Sequence, residues 1–231
     1  MDTHRHTLTA FDDERDALRT LIGRMGGYAE HALREALRCL MQHDLDGAAK
    51  VVEGDHQLDE METEAERQAL QLIALRAPMA DDLREVVAAL KITGVIERIG
   101  DYAKNIAKRV PQFERLPDIE PVALLPEMAR VAADLVRDAL DAFVARDAGK
   151  AAAVVVADKL IDDYYNSIFR ALLTYMMENP HNIGPATHLL FVAKHIERIG
   201  DHATNIAEMV YFAATGERLA ERPRGADPVV A

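Results

Sequence analysis

Acidic side chains recur at helical spacing in two copies of one short sequence. The segment Ile-Glu-Arg-Ile-Gly-Asp occupies positions 96–101 and returns at positions 196–201. In both copies an asparagine, Asn105 or Asn205, follows the aspartate by four residues. Six consecutive identities at one offset indicate an internal duplication. Carboxylates and an amide spaced four apart place oxygen ligands along one line of a helix, which suits a hard cation.

The acidic line is predicted to lie on the outer face of each helix. Isoleucine and alanine form an apolar stripe, and Glu97 and Asp101, like Glu197 and Asp201, fall nearly opposite it. Like charges four residues apart destabilise an isolated helix by roughly 0.2–0.5 kcal/mol per pair. The glycine before each aspartate costs about 1 kcal/mol relative to alanine. Because both unfavourable features recur, we interpret the line as a cation-binding surface rather than only a solvated acidic face.

The preceding helix of each half is predicted to carry a second acidic pair. Asp55 and Asp59 are four residues apart in the first half, as are Asp158 and Asp162 in the second. If the pairs on successive antiparallel helices face a common groove, four carboxylates and an asparagine converge in each half. Such an all-oxygen set suits Mg²⁺, Mn²⁺, Ca²⁺ or iron.

Residues beside these pairs differ between the halves. Glu62 of the first half corresponds to Tyr165 of the second, and Lys108 corresponds to Glu208. We therefore do not expect the two sites to have the same affinity or to hold the same number of ions.

The arginines and histidines of the signature helices have other interpretations. Arg98 and Arg198 lie about 60° around the helix from the aspartates, and either orient the ligands or form exposed ion pairs with them. Histidines recur every seven residues at His181, His188, His195 and His202. Two helical turns separate neighbours by about 10.5 Å, too far to share one ion, so packing is the preferred role.

Composition favours an all-helical fold and excludes several classes of function. The 231 residues are 49% apolar and only 5% aromatic, and alanine and leucine dominate, which is typical of helices. A net charge of −12 argues against nucleic-acid binding and binding to anionic membranes. No apolar run is long enough for membrane insertion. The single cysteine, Cys39, excludes an intrachain disulfide and favours a cytoplasmic location.

Helical periodicity predicts six helices, three in each half. Their expected ranges are 8–43, 45–76, 80–110, 126–146, 149–178 and 184–214. Prolines end the second and fifth helices, and a proline-rich stretch separates the halves. The predicted fold is all-α, with two tandem, pseudo-symmetric antiparallel three-helix bundles. The predicted organisation is a first bundle at 1–111, a linker at 112–125, a second bundle at 126–215 and a loose tail at 216–231.

The paired (Glu/Asp)-x-x-x-Asp signatures resemble those of the PhoU family of phosphate-transport regulators. Phe11-Asp12-Asp13-Glu14 and Met25-Gly26-Gly27 also resemble that family's first helix, and the resemblance covers residues 5–214. It implies multinuclear iron or zinc clusters on the surface. The ligands it implies are Asp55, Asp59, Glu97 and Asp101 in the first half and Asp158, Asp162, Glu197 and Asp201 in the second. Asn105 and Asn205 lie on the same faces and are further candidates.

The same resemblance implies a role in regulation rather than catalysis. It leads us to expect a cytoplasmic homodimer that is a negative regulator of the phosphate-starvation response. The expected partners are the ATPase subunit of the phosphate ABC transporter and a sensor histidine kinase.

Two other interpretations remain open from the sequence. A metal-free helical adaptor would need none of the acidic ligands. A ferritin-like di-iron oxidase would need Glu-x-x-His on two helices, with ligands aimed into the bundle. The sequence has that motif at Glu53 and His56, and again at Glu178 and His181 only across a proline. Nothing resembles a phosphate-binding loop, a Ser/His/Asp set or a glycine-rich nucleotide site, so we expect no enzymatic activity.

Overall fold

The computed structural model describes residues 2–113 and 120–219. In these ranges the regular structure is helical throughout, with no strand. The α-helices are α1 (Asp2–Gln42), α2 (Leu45–Gly54), α3 (His56–Arg76), α4 (Asp81–Ala107), α5 (Glu120–Ala145), α6 (Ala148–Ala157), α7 (Lys159–Glu178) and α8 (Ile183–Thr215). Short 3₁₀ helices occupy Val110–Gln112 and Pro180–Asn182. The all-α prediction is confirmed.

The eight α-helices of these ranges correspond to the six predicted helices, because two of the predicted helices are each interrupted once. We call each of these six units a rod. Helices α2 and α3 make up the second rod and are separated only by Asp55, while α6 and α7 make up the fifth and are separated only by Asp158. At each break a backbone hydrogen bond spans three residues rather than the four of an α-helix. The Leu58 amide donates to the Asp55 carbonyl, and the Ile161 amide donates to the Asp158 carbonyl, both at 2.9 Å. The periodicity did not predict these breaks.

The same turn joins the first two rods of each half. A residue with positive φ, His43 or Arg146, ends the first rod. The next residue caps the second rod: the Asp44 carboxylate accepts from the Gly47 amide at 2.8 Å, and the Asp147 carboxylate accepts from the following turn in the same way. Because an aspartate N-cap satisfies an otherwise unpaired amide, the duplicated sequence folds alike in both halves.

The first helix of the second half begins earlier than predicted. Helix α5 starts at Glu120, so Pro126 lies inside it rather than at its start. The apolar side chains on both sides of the proline are buried, at Val122, Leu125, Met128 and Ala129. Their burial outweighs the backbone hydrogen bond that a proline removes. Residues 114–119 of the expected linker and residues 220–231 of the expected tail lie outside the described ranges.

The two halves share one hydrophobic core. Helices α4 and α8 lie at the centre and pack against each other, while α1 packs on α4 and α5 packs on α8. Ile96 and Ile99 of α4 and Ile196 and Ile199 of α8 are completely buried in one continuous cluster. The contacts of Tyr102 with His195 and of Arg109 with His188 show that α4 and α8 run antiparallel.

Candidate functional site

The acidic residues of the first half converge in the groove between α3 and α4. Asp55 is buried at the α2–α3 break, with 9% of its surface exposed, and Asp101 projects from α4. The Lys104 ammonium group joins them, because it binds the Asp55 carboxylate and lies 2.6 Å from an Asp101 oxygen. The structure therefore brings the two sequence-predicted pairs into one cluster.

The negative charges of this cluster lie close enough together to raise the pKa of Glu97. Burial, followed by the charges of Asp101, Glu62, Asp59 and Asp55, raises the pKa of Glu97 to about 7. Such a carboxyl is close to half-protonated at neutral pH. A cation among these oxygens would relieve both the repulsion and the partial protonation.

The second half repeats the convergence between α7 and α8 with different details. Asp158 is only 1% exposed at the α6–α7 break, and the Lys194 ammonium lies 2.8 Å from a Glu197 oxygen. The Asp201 side chain reaches the surface, yet partial burial and the charges of Glu197, Asp158 and Asp162 raise its pKa to about 6. Burial also raises the pKa of Glu197, against the opposing effect of Lys194.

A glycine in each signature allows the acidic break to approach the central helix. Gly100 packs against the Leu58 side chain, with Asp55 close by. At Gly200 an added Cβ would lie 2.6 Å from an Asp158 carboxylate oxygen and 2.7 Å from Ile161. Any larger residue would push the break away from α8 or α4. The two signature glycines therefore lie where the second rod of each half comes closest to the central helix.

The remaining predicted residues lie around the edges of the clusters. Asp59 is exposed, Asp162 is half-buried, and both contribute charge to the cluster of their own half. Asn105 is half-buried on α4. Asn205 is exposed, and its amide nitrogen lies 3.4 Å from a ring nitrogen of His202, whose ring stacks on Tyr102 of α4.

Two lysines in the clusters were missed by the sequence reasoning. Lys104 aligns with Thr204 of the other half, and Lys194 aligns with Gly94, so neither belongs to the duplicated pattern. Each lies three residues from a cluster carboxylate on the same helix, which was the available signal.

The fit of a metal ion depends on how the cluster side chains are arranged. Within the described ranges, no three histidine, cysteine, aspartate or glutamate side chains stand in a ready arrangement around one point. Instead, Lys104 draws Asp55 and Asp101 together, and Lys194 pairs with Glu197. The donor chemistry still fits a hard cation, since the oxygens converge and one Glu197 oxygen is buried without a hydrogen-bond partner among the described residues. A cation would therefore have to displace Lys104 or Lys194.

The signature arginines do not form the ion pairs with the aspartates that were one of the two expectations. In the described part of the chain, Arg98 and Arg198 form no ion pair with Asp101 or Asp201. The Arg198 guanidinium instead lies 5.8 Å from the centre of the Tyr102 ring, across the contact between α4 and α8. The nearby histidines also stack on this tyrosine, so their packing role is confirmed for His195 and His202.

None of the described helices combines the length and the apolar character needed to cross a bilayer.

The fold and the clusters together define a class: a tandem-repeat helical bundle with an acidic cluster on the same face of each repeat.

Comparison with known proteins identifies the family. The PhoU domain model matches residues 22–110 and 125–210, one match in each half. The chain is 54% identical to a phosphate-specific transport system accessory protein PhoU homolog of Zymomonas mobilis, over 96% of this chain and 94% of that one. It is 33% identical to the PhoU protein of Escherichia coli, over 94% of this chain and 90% of that one. This chain belongs to the PhoU family.

A solved structure supports the same assignment. The crystal structure of PhoU from Pseudomonas aeruginosa superposes with a TM-score of 0.85 at 34% identity, and the match covers 90% of this chain and all of that one. The predicted family resemblance is therefore confirmed.

Proposed function

We propose that this chain is an accessory protein of phosphate-specific transport that acts as a metal-binding cytoplasmic regulator. The relatives that match it along nearly their whole length are named as accessory proteins of that transport system. The observation that carries the metal-binding part is the convergence of two acidic pairs in each half, where the pKa of Glu97 rises to about 7 and that of Asp201 to about 6.

The residues proposed to hold iron or zinc are those predicted from the sequence. Bound metal would supply positive charge that links the second rod of each half to α4 or α8. The candidate ligands are Asp55, Asp59, Glu97, Asp101 and Asn105 in the first half and Asp158, Asp162, Glu197, Asp201 and Asn205 in the second. Without metal, Lys104 makes the corresponding link in the first half.

The proposed regulatory role depends on a bound metal ion replacing the lysine as the group that the cluster carboxylates bind. The cluster carboxylates turn toward Lys104 or Lys194 in one state and toward the cation in the other, and this fixes the surface of α3 and α7 that a partner meets. The proposed partners are the transporter ATPase subunit and a sensor histidine kinase. Contact with them would make the protein a negative regulator of the phosphate-starvation response, acting as a homodimer and without catalysis.

The test is elemental analysis of the untreated full chain together with a pull-down of the transporter ATPase. We expect iron or zinc above background in the native protein and its loss in the double variant Asp101→Ala plus Asp201→Ala. Asp163→Ala is the matched control, because Asp163 is exposed on α7 beside a candidate ligand. Metal-free native protein that takes up no metal on titration would exclude the metal-binding part of the proposal. Equal ATPase capture before and after chelation would exclude the regulatory exchange.

A metal-free adaptor is the second candidate function. It is favoured by one observation: lysines already pair with carboxylates in both clusters, and Lys104 joins Asp55 to Asp101 without a metal ion. The same experiment separates the two, since an adaptor would capture the ATPase with no bound metal.

The di-iron oxidase has no comparable support. Glu53, His56, Glu178 and His181 are all exposed on the surface. A ferritin-like site needs these ligands inside the bundle.

A further inference from the structure

The outer side of the contact between α4 and α8 carries positive charge and rings but no acidic residue. At about 100° per residue, one sector of about 60° on each helix faces outward over this contact. We call the ten side chains of the two sectors, with Arg109 just past the end of α4, the central stripe. Its members are Lys91, Val95, Arg98, Tyr102, Arg109, Phe191, His195, Arg198, His202 and Met209. None is aspartate or glutamate, although the whole chain has 39 acidic residues and a net charge of −12.

Rings run along the stripe and carry its arginines. Tyr102 stacks on His202 with the ring centres 5.5 Å apart, and the Arg198 guanidinium lies 5.8 Å from the centre of the same tyrosine ring. The Arg109 guanidinium lies 4.2 Å from the centre of the Phe191 ring, and Phe191 is 48% exposed. Arginine and aromatic side chains are enriched at protein–protein interfaces.

The cations of the stripe have no carboxylate partner within the chain. In the described ranges, Lys91, Arg98, Arg109 and Arg198 form no ion pair. Lys91, Arg98 and Arg198 are exposed. Their charges are therefore available to acidic groups of another molecule.

The acidic clusters border the stripe and limit the width of what can bind there. One cluster lies in the groove between α3 and α4, and the other in the groove between α7 and α8. Axes of packed helices are about 8–10 Å apart, so each cluster lies about one helix from the stripe. An anionic bilayer or a nucleic-acid duplex would cover the clusters too and be repelled by them. A partner only one helix wide avoids both.

A second copy of the chain fits the stripe poorly. In a two-fold dimer the same patch of each subunit meets its copy. The stripe would then place Arg98 and Arg198 against the arginines of the other subunit, and like charges across an interface are unfavourable.

We propose that the central stripe binds an acidic amphipathic helix of a partner protein. Carboxylates of that helix pair with Lys91, Arg98 and Arg198, and an apolar side chain packs on Phe191 beside Arg109. At 1.5 Å per residue, the distance from Lys91 to Arg109 is about 27 Å, which corresponds to a helix of about 18 residues. The apolar face of such a helix lies in the groove between two helices, a common mode of recognition. The stripe uses none of the cluster carboxylates, so this binding does not require metal.

The experiment titrates the full chain into a helical peptide of about 18 residues that carries glutamate and leucine on one face and one tryptophan. The chain has no tryptophan, so tryptophan emission reports the peptide alone. The matched probe has lysine in place of every glutamate. At about 0.15 M salt, where charges more than about 8 Å apart are screened, we expect a Kd below about 100 micromolar for the acidic peptide. The lysine peptide should bind at least about tenfold more weakly.

Variants with matched controls locate the binding. Arg98→Gln plus Arg198→Gln should weaken binding of the acidic peptide about tenfold. Lys108→Gln plus Lys159→Gln removes the same charge from exposed positions outside the stripe and should change it less than about twofold. Phe191→Ala should weaken binding about tenfold, while Leu75→Ala, which alters a side chain that is 73% exposed on α3, should leave it unchanged.

Several results would overturn the proposal. They are no binding of the acidic peptide at about 1 millimolar, equal binding of the two peptides, and stripe variants that behave like their controls. Two further measurements test the other occupants. Sedimentation in which Arg98→Gln plus Arg198→Gln dissociates an oligomer would assign the stripe to a second copy of the chain. Stripe-dependent binding to vesicles of phosphatidylglycerol and phosphatidylcholine would assign it to a bilayer. Either result also refutes the acidic helix.

Discussion

The two acidic clusters descend from one duplicated signature, yet each is neutralised by a different lysine. In the first half, Lys104 follows Asp101 by three residues and reaches across to Asp55 on the neighbouring rod. In the second half, Lys194 precedes Glu197 by three residues and bonds on its own helix. The candidate ligands were preserved while the cation that offsets them moved.

The strained carboxyls differ between the clusters. In the first half, where Lys104 binds Asp101, the pKa of Glu97 rises to about 7. In the second half, where Lys194 binds only one oxygen of Glu197, the pKa values of Glu197 and Asp201 are both raised, that of Asp201 to about 6. Two sites with the same ligand types therefore differ in charge distribution, which supports the expectation that they bind cations unequally.

The largest difference between the clusters should follow removal of the lysines. Lys104→Met leaves Asp55, whose side chain is 10% exposed, without its partner and should reduce the free energy of unfolding by about 3 kcal/mol. Lys194→Met should cost about 1 kcal/mol, because Lys194 is more exposed than Lys104 and contacts α7 through the face of the Tyr165 ring, 5.0 Å away. Urea unfolding of the metal-free variants measures both. Equal losses would show that the bridge between rods is not what distinguishes the halves.

A smaller difference should separate the two signature glycines. Gly200→Ala forces a methyl group against the buried Asp158 carboxylate and Ile161, and should destabilise the protein by about 2 kcal/mol. At Gly100 the methyl group would meet the end of the buried Leu58 side chain rather than a buried carboxylate, so we expect a cost of about 1 kcal/mol, partly offset by the better helix propensity of alanine. The check is a denaturant midpoint for each variant. A stabilised Gly200→Ala would contradict the close approach.

A further difference between the clusters concerns pH. The pKa of Glu97 in the folded chain is above its ordinary value of 4.5, so its contribution to stability is present below pH 4.5 and is lost as the pH rises toward 7. Asp201 behaves in the same way between its ordinary value of 3.8 and about 6.

Glu97→Gln should remove the higher part of this pH dependence, and Asp201→Asn the lower part. Melting temperatures of metal-free protein between pH 4 and pH 8 give the measurement, with the exposed residue change Glu60→Gln as control. Unchanged pH profiles in both variants would show that the two carboxyls are not the strained groups.

The comparison also separates what local pattern could predict from what it could not. The two copies of the signature, the rods and the line of Glu97 and Asp101 follow from helical periodicity, because residues four apart share a face whatever the rest of the chain does. The break at Asp55 and the early start of α5 could not be read in this way. Both are favoured by burial against distant helices, which overrides the local preference.

Sequence alone therefore determined the helices, the duplication and the acidic faces, since each depends on neighbours within one or two turns. Only the tertiary structure decided which charges meet. Lys104 is 49 residues from Asp55 and Arg109 is 79 residues from His188. Helix packing brings these side chains together, and no spacing within a single helix records the contact.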